Sequence, residues 1–273
     1  MKFRNLISVL FTLVFVGSSA VTVAQAAGYR YSRSPSSSGG NASMPVSGSI
    51  AMPGTTTATF TNPAGLVNGD PLRLSLQVGS PKPMEDPNLR ALVLVGNGVF
   101  GASGGVDYLK PDGTASDSGW AVYGLAVNIA ALDFTLGLSG RTGIKTAQGS
   151  DFNAGILIKP TQFVTLGATA RSLNNQPDSY GVGIGVEMVS GFDLVADAAF
   201  DNKFKNGEFK PGVKVSNSFA GLSLSYGTGA TTQFNKDFSA AVFLKVGSNS
   251  ELEFEYNHGG DLPKYYAGLT FGF

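Results

Sequence analysis

From residue 71 onward, apolar side chains recur at every second position along most of the chain, and the positions between them are polar, charged or glycine. A period of two puts the two sets on opposite faces of a β-strand. The code is sharpest at the end of the sequence, where Glu251 to Asn257 reads Glu, Leu, Glu, Phe, Glu, Tyr, Asn. After the turn-like run Gly259-Gly260-Asp261-Leu262-Pro263, one face carries Tyr265, Ala267, Leu269, Phe271 and Phe273. The other carries Tyr266, Gly268, Thr270 and Gly272. Such a hairpin suits lipid on one side and water on the other, or the core of a soluble sandwich.

The same phase continues upstream. Leu72, Leu74, Leu76 and Val78 alternate with Arg73, Ser75 and Gln77, and Phe152, Ala154, Ile156 and Ile158 with Asn153, Gly155, Leu157 and Lys159. Tyr180 to Met188, Phe192 to Asp201, Phe209 to Ser216, Leu222 to Ser225 and Phe238 to Gly247 follow the same rule. The fit is poorer over Leu89 to Val95, Gly98 to Leu109 and Trp120 to Ile129, where both faces contain apolar residues. With Leu132 to Arg141, Gln162 to Arg171 and the terminal hairpin, this predicts about fourteen strands between residues 71 and 273. The spacing is roughly 14 residues per strand and connection, close to the ~9–11 residues of a tilted membrane strand plus a turn.

The connections alternate in length. Tight ones are expected around Gly96-Asn97, Ala130-Ala131, Pro160-Thr161, Ser190-Gly191, Asn217-Ser218 and Ser248-Asn249. Longer, more polar ones are expected near Ser80 to Pro87, Pro111 to Ser118, Thr142 to Ser150, Asn174 to Asp178, Asn202 to Asn206, Gly227 to Asp237 and Gly259 to Pro263. Outer-membrane barrels pair short periplasmic turns with longer outer loops, whereas a soluble sandwich has no reason to alternate. The predicted fold is therefore all-β: a transmembrane antiparallel up-and-down β-barrel preceded by an N-terminal plug-like segment.

Composition agrees. Only 14% of the 273 residues are charged and 37 are glycine, a low charge content and a high glycine content beside an ordinary soluble domain. Acidic and basic residues number 19 each, which argues against a nucleic-acid partner. The absence of cysteine excludes disulfides, thiolate chemistry and cysteine-based metal sites. Lys2 and Arg4, the apolar run Leu6 to Val16 and the triplet Ala24-Gln25-Ala26 predict a secretory signal peptide over residues 1–26. The apolar run is too short to span a bilayer as a helix. Residues 27–70, rich in Ser, Gly and Thr, read as a low-complexity linker, tail or hatch, and residues 71–273 as the barrel. The destination implied is the outer membrane of a Gram-negative cell, with outer-membrane lipid as the surrounding partner.

With the apolar face outward, the lumen is expected to carry Arg73, Asp107, Asp133, Arg141, Lys159, Arg171, Glu187 and Glu208. It also receives a charge ladder of Asp193 and Asp197 beside Lys210 and Lys214, and of Lys245 beside Glu251, Glu253 and Glu255. Opposite charges across a strand pair stabilise by ~0.2–1 kcal/mol each, and the ladder reads either as lumen filling or as a selectivity constriction. No catalytic residue is assigned, and the chain is expected not to be an enzyme. The one histidine, His258, falls on the apolar phase with Phe254 and Tyr256 and no serine. No metal-ligand spacing and no cofactor motif appear.

Just before the first strand stands Thr61-Asn62-Pro63-Ala64-Gly65-Leu66. Its Asn62, Pro63, Ala64, Gly65 and Leu66 resemble the segment that precedes the first strand in the FadL-like family of outer-membrane long-chain fatty-acid and hydrocarbon transporters. The resemblance implies a fourteen-stranded barrel with an inward-folded hatch and passive uptake of a hydrophobic small molecule. It also implies a kinked third strand with a lateral opening, here at Gly101, Gly104 and Gly105. The chain departs from the family in being shorter and in lacking its long outer loops. An apolar path past Leu157, Val195 and Phe243 would favour hydrophobic transport, a filled lumen a structural or docking barrel, and an open charged pore a porin for hydrophilic solutes. The terminal aromatic, Phe273, is the expected contact for the barrel-assembly machinery.

Overall fold

The computed structural model describes residues 49–54, 57–68, 72–80, 88–109, 118–129, 132–144, 150–174, 177–228, 236–246, 250–259 and 262–273. The predicted signal peptide, the serine-rich run and most of the longer connections named above lie outside the described residues.

Fourteen strands close into one antiparallel barrel, each bonded to its sequence neighbours. They are β1 (Arg73–Ser80), β2 (Asn88–Gly96), β3 (Phe100–Leu109), β4 (Ser118–Ile129), β5 (Phe134–Gly143), β6 (Ser150–Thr161) and β7 (Val164–Arg171). There follow β8 (Ser179–Val189), β9 (Phe192–Asp201), β10 (Gly207–Ser216), β11 (Ala220–Thr228), β12 (Lys236–Val246), β13 (Ser250–Gly259) and β14 (Leu262–Gly272). Closure runs from Arg73 opposite Gly272 to Ser80 opposite Tyr265, and the Phe273 N–H donates to the Leu72 carbonyl at 3.0 Å. A closed ladder leaves no edge to pair with other chains.

The apolar phase faces out. Leu74, Leu76, Val106, Leu125, Leu138, Val182, Val242 and Phe254 are exposed, whereas Ser75, Gln77, Ser139, Ser223, Ser239 and Glu253 are buried. Around this band aromatic side chains collect at the strand ends. Phe163, Phe219 and Phe273 lie at the short-connection end; at the other, Tyr180 stacks on Phe204 (5.1 Å) and Tyr256 packs at a tilt against Tyr265 (5.3 Å). Apolar height bounded by aromatic rims is how a barrel matches hydrocarbon and its two interfaces.

Three of the short turns are built by side-chain acceptors. Asn97 Oδ1 takes the amides of Val99 and Phe100, and Asn217 Oδ1 those of Phe219 and Ala220. Thr161 Oγ1 does the same for Phe163 and Val164. This local chemistry lets three residues or fewer reverse the chain while an aromatic points to the interface. The last outer connection departs from the expected length: β13 runs to Gly259 and β14 starts at Leu262, so the two strands extend through most of the anticipated loop.

Residues 49–54 and 57–68 lie against the inner wall. They end in a short 3-10 helix, Pro63–Asn68, in which Pro63 to Val67 are buried. The Gly98 amide donates to the Val67 carbonyl at 2.9 Å, which ties the exit of this segment to the β2–β3 turn.

Candidate functional site

The seat of the inner segment is a row of inward-facing glycines. A Cβ on Gly101 would stand 2.4 Å from the Leu66 carbonyl, on Gly137 2.2 Å from the Ala64 nitrogen, on Gly155 2.0 Å from Asn62 Oδ1 and on Gly167 2.3 Å from the Ile50 carbonyl. On β8, Gly181, Gly183 and Gly185 make room in the same way for Ile50, Ala51 and Met52. Only hydrogen in place of a side chain admits the backbone of Leu66, Ala64 and Ile50, or the side chains of Asn62, Ile50 and Met52, at these separations.

Polar side chains fix the segment in that seat. Asn62, wholly buried, donates through Nδ2 to the Ile50 carbonyl (2.7 Å) and to the Ile156 carbonyl of β6 (3.0 Å), and its Oδ1 accepts the Ala64 amide (3.2 Å). One amide group thus joins the two halves of the segment to each other and to the wall. At the far end Asp197 of β9 accepts the Ile50 amide (3.1 Å) and the Ser49 hydroxyl (3.2 Å), and Ser49 Oγ in turn accepts the amides of Ala51 and Met52 (both 3.1 Å). Thr59 donates to Ser103 of β3 at 2.8 Å.

Hydrogen bonds to an ionised acceptor contribute ~1.5–3 kcal/mol. Asp197→Ala is therefore expected to release residues 49–52 while residues 60–67 stay seated. Hydrogen-exchange mass spectrometry should show protection lost at Ile50 and Ala51 and kept in the 3-10 helix.

Between segment and wall runs an apolar seam. Ala58, Leu66 and Val67 on one side meet Leu92, Leu94, Val122 and Ala126 on the other, with Phe60 and Trp120 packed at its margin. This explains the weak alternation of β2–β4, whose inner face is a packing surface. Above the seam, towards the long connections, Arg90 pairs with Asp107 (3.2 Å) and Gln77 (3.2 Å), and Arg141 pairs with Asp151 (3.3 Å). The guanidinium of Arg90 lies 3.9 Å from the Phe60 ring centre, and that of Arg141 lies 4.6 Å from Trp120. Arg90 and Asp151 were legible only through phase: Arg90 shares the face of Leu92 and Leu94, and Asp151 that of Asn153.

The expected ladder residues fall in register. Lys210 stands opposite Asp197, Lys214 opposite Asp193, and Lys245 opposite Glu251. Asp197 turns out to be engaged with the inner segment as well. Glu253 is buried opposite Phe243, whose ring lies 5.3 Å from Lys214 Nζ. Lys159, Glu187 and Lys245 keep the inner phase but are exposed near the short-connection rim. Asp133, expected in the lumen, is a correction: it occupies the turn before β5 with φ 47° and is exposed there.

The lateral opening expected at Gly101, Gly104 and Gly105 is also corrected. From Gly101 to Tyr108, β3 is paired without a register shift to β2 and to β4, so the wall there is continuous. Gly101 serves the inner segment, and Gly105 faces inward, where a Cβ would meet the Ala91 carbonyl at 2.1 Å. Leu157, Val195 and Phe243 are buried on the inner face of three separate strands. His258 lies exposed near the tip of β13, its ring 6.5 Å from that of Tyr256.

No protein-family model matches the sequence, and neither does any curated protein. In fold the chain is similar to the toluene transporter TbuX of Ralstonia pickettii (TM-score 0.62, 12% identity, 84% of this chain and 98% of that one). It is also similar to the CymD monoaromatic hydrocarbon channel (0.59, 10%, 84% and 97%) and to the outer membrane protein Omp33 of Acinetobacter baumannii (0.58, 8%, 75% and 98%). At identities this low the likeness is one of architecture.

Proposed function

We propose that the chain is an outer-membrane channel for passive uptake of hydrophobic small molecules, with residues 49–68 as a hatch across its lumen. The observation that carries this reading is the hatch seat: a wall cleared of side chains, an apolar seam beside it, and side-chain hydrogen bonds that tie the segment to the wall without taking part in the strand ladder. The resemblance of Asn62 to Leu66 to the FadL-like family, and the naming of TbuX and CymD as hydrocarbon channels, support the same solute class. An apolar exterior with aromatic rims supports a bilayer location, and exposed Phe273 is the proposed signal to the assembly machinery.

Conductance in planar bilayers tests the proposal. The full chain is expected to stay closed to ions for most of the record, and deletion of residues 28–66 to open a steady conductance. Cells carrying the full chain should also take up radiolabelled oleate faster than cells lacking it. A full chain that conducts as freely as the deletion would favour a hydrophilic porin lined by Ser223, Ser225 and Glu253, whose buried oxygens include ones with no hydrogen-bond partner among the described residues. Silence from both forms would favour a structural barrel.

A further inference from the structure

We propose that the β9–β10 turn and the outer half of β10 form a binding site for a phosphorylated lipid of the outer leaflet, with Lys203 and Lys205 holding its phosphates. The inference rests on the bilayer location proposed above, with the long connections outward, and not on the solute that the channel carries.

The ladder of the wall is incomplete here. β10 pairs with β9 from Gly207 opposite Phe200 to Val215 opposite Phe192. With β11 it pairs only from Gly212 opposite Ser225 to Ser216 opposite Gly221, although β11 runs on to Thr228 and is paired to β12 that far. Pro211 accounts for the break. Asn206 turns its carbonyl to β9, where it accepts the Asp201 amide (3.0 Å), and Phe209 turns its carbonyl to β11, where it accepts the Thr228 hydroxyl (3.1 Å). Main-chain groups alternate sides along a strand, so residue 211 holds a position that would donate to β11. Proline has no N–H to give, and the ladder stops. Main-chain groups outside a ladder are costly in hydrocarbon, and the exposed side chains of Phe209 and Tyr226 put this stretch on the lipid face. An acceptor from a lipid headgroup meets that need.

The turn that leads into this stretch is shaped to present positive charge. Its one acid is occupied within it: Asp201 Oδ1 accepts the amides of Lys203 (3.1 Å) and Lys205 (2.9 Å), and Oδ2 accepts Asn206 Nδ2 (2.7 Å). So held, Phe204 takes φ 55°, a strained conformation for a bulky residue, and its ring, 65% exposed, stacks on Tyr180. Lys203 and Lys205 flank that ring, both exposed and neither in an ion pair among the described residues. Aromatic rings at a barrel rim mark headgroup depth, which sets the two ammonium groups level with lipid phosphates. Phosphate oxygens accept charge-assisted bonds from ammonium and bonds from main-chain N–H alike. Acyl chains below them meet Phe209 and Tyr226. Lipid A, a phosphorylated and multiply acylated sugar, carries both parts, whereas free phosphate lacks the second.

Native mass spectrometry of the mature chain, purified from outer membranes in detergent and stripped of lipid, tests the site. Lipid A is expected to bind at lower concentration than its monophosphoryl form. Replacing both lysines, Lys203→Gln with Lys205→Gln, should weaken lipid A by about five- to thirtyfold and erase that preference. Pro211→Val restores a donor on the β11 side and should weaken lipid A with both lysines in place. Lys159→Gln with Lys245→Gln removes the same charge at the short-connection rim and should change nothing. Each variant is read on material that passes the heat-shift gel test for a closed barrel. Full lipid A binding by the turn pair or by Pro211→Val, or an equal loss in the opposite-rim pair, would overturn the proposal. So would displacement of lipid A by inorganic pyrophosphate at matched concentration, which assigns the lysines to free phosphate. The sequence has no cysteine, so Asn202→Cys gives a single thiol that a membrane-impermeant maleimide should label on intact cells. Labelling without lipid preference rejects the lipid site alone, whereas a thiol labelled only in broken cells rejects the outward orientation beneath it.

Discussion

Gly137→Ala is expected to open the channel, and Gly268→Ala to leave it closed, although both substitutions add one methyl to an inward-facing glycine of a strand. On Gly137 the new carbon would lie 2.2 Å from the Ala64 nitrogen and 2.3 Å from the Pro63 carbonyl carbon. Those atoms are hatch backbone, fixed by the proline ring and the 3-10 turn, and they stand more than an ångström inside ordinary contact distance. On Gly268 the nearest atoms are side-chain carbons of Gln77 at 3.5 Å and Glu253 at 3.8 Å, an ordinary van der Waals fit. Overpacking a rigid contact costs roughly 1–3 kcal/mol, and here the hatch can escape that cost by leaving its seat while the strand ladder stays whole. Planar-bilayer recordings should give Gly137→Ala a conductance approaching that of the 28–66 deletion, with the heat-shift gel pattern of a closed barrel. A closed, silent Gly137→Ala barrel would mean that the segment is not seated on β5.

The glycine result bears on how much could be read from the chain alone. Outer strands such as β13 and β14 are legible because one solvent is oil and the other is polar, so that Leu252, Phe254 and Tyr256 contrast with Glu251, Glu253 and Glu255 at every step. Register followed too: Lys214 opposite Asp193 and Lys245 opposite Glu251 are consequences of phase and turn length. The contrast fails where the inner face meets protein. Leu92, Leu94, Val122 and Ala126 are inside because the hatch covers them, and a period-two reading cannot distinguish an apolar wall under a plug from an apolar wall in lipid. Inner glycines carry the same ambiguity. Gly101 suggested a bend in β3, yet its missing side chain serves the carbonyl of Leu66, a contact separated by 35 residues that no local pattern encodes. The contact of Arg90 with Phe60 was missed for a related reason, since Phe60 lies in a stretch whose composition reads as linker.

The largest effect of a single side chain is expected at Asn62, and its sign with pH distinguishes hydrogen bonding from packing. The Nδ2 group donates to two carbonyls, those of Ile50 and Ile156, in a place with no exposed surface. Asn62→Ala removes both donors, and each stranded buried acceptor costs about 1–3 kcal/mol, enough to loosen the hatch at its centre, where Asn62 joins both halves to β6, while the Asp197 and Ser103 ties remain. Asn62→Asp preserves the shape and should be worse at neutral pH, because an ionised carboxylate offers no hydrogen and sets negative charge against the same two carbonyl oxygens. The seated state then favours the protonated acid. Its stability is fully present below the ordinary carboxylate range, about pH 4, and is lost as pH rises through the higher value that the seated carboxyl adopts. Acidification should therefore quiet the conductance of Asn62→Asp relative to that of Asn62→Ala, which shares every other titratable tie of the hatch, Asp197 included, measured on one bilayer with the pH stepped on the side of the long connections. A pH response shared by both variants would place the titrating group elsewhere, whereas a response confined to Asn62→Asp identifies the amide donors as what holds the hatch to the wall.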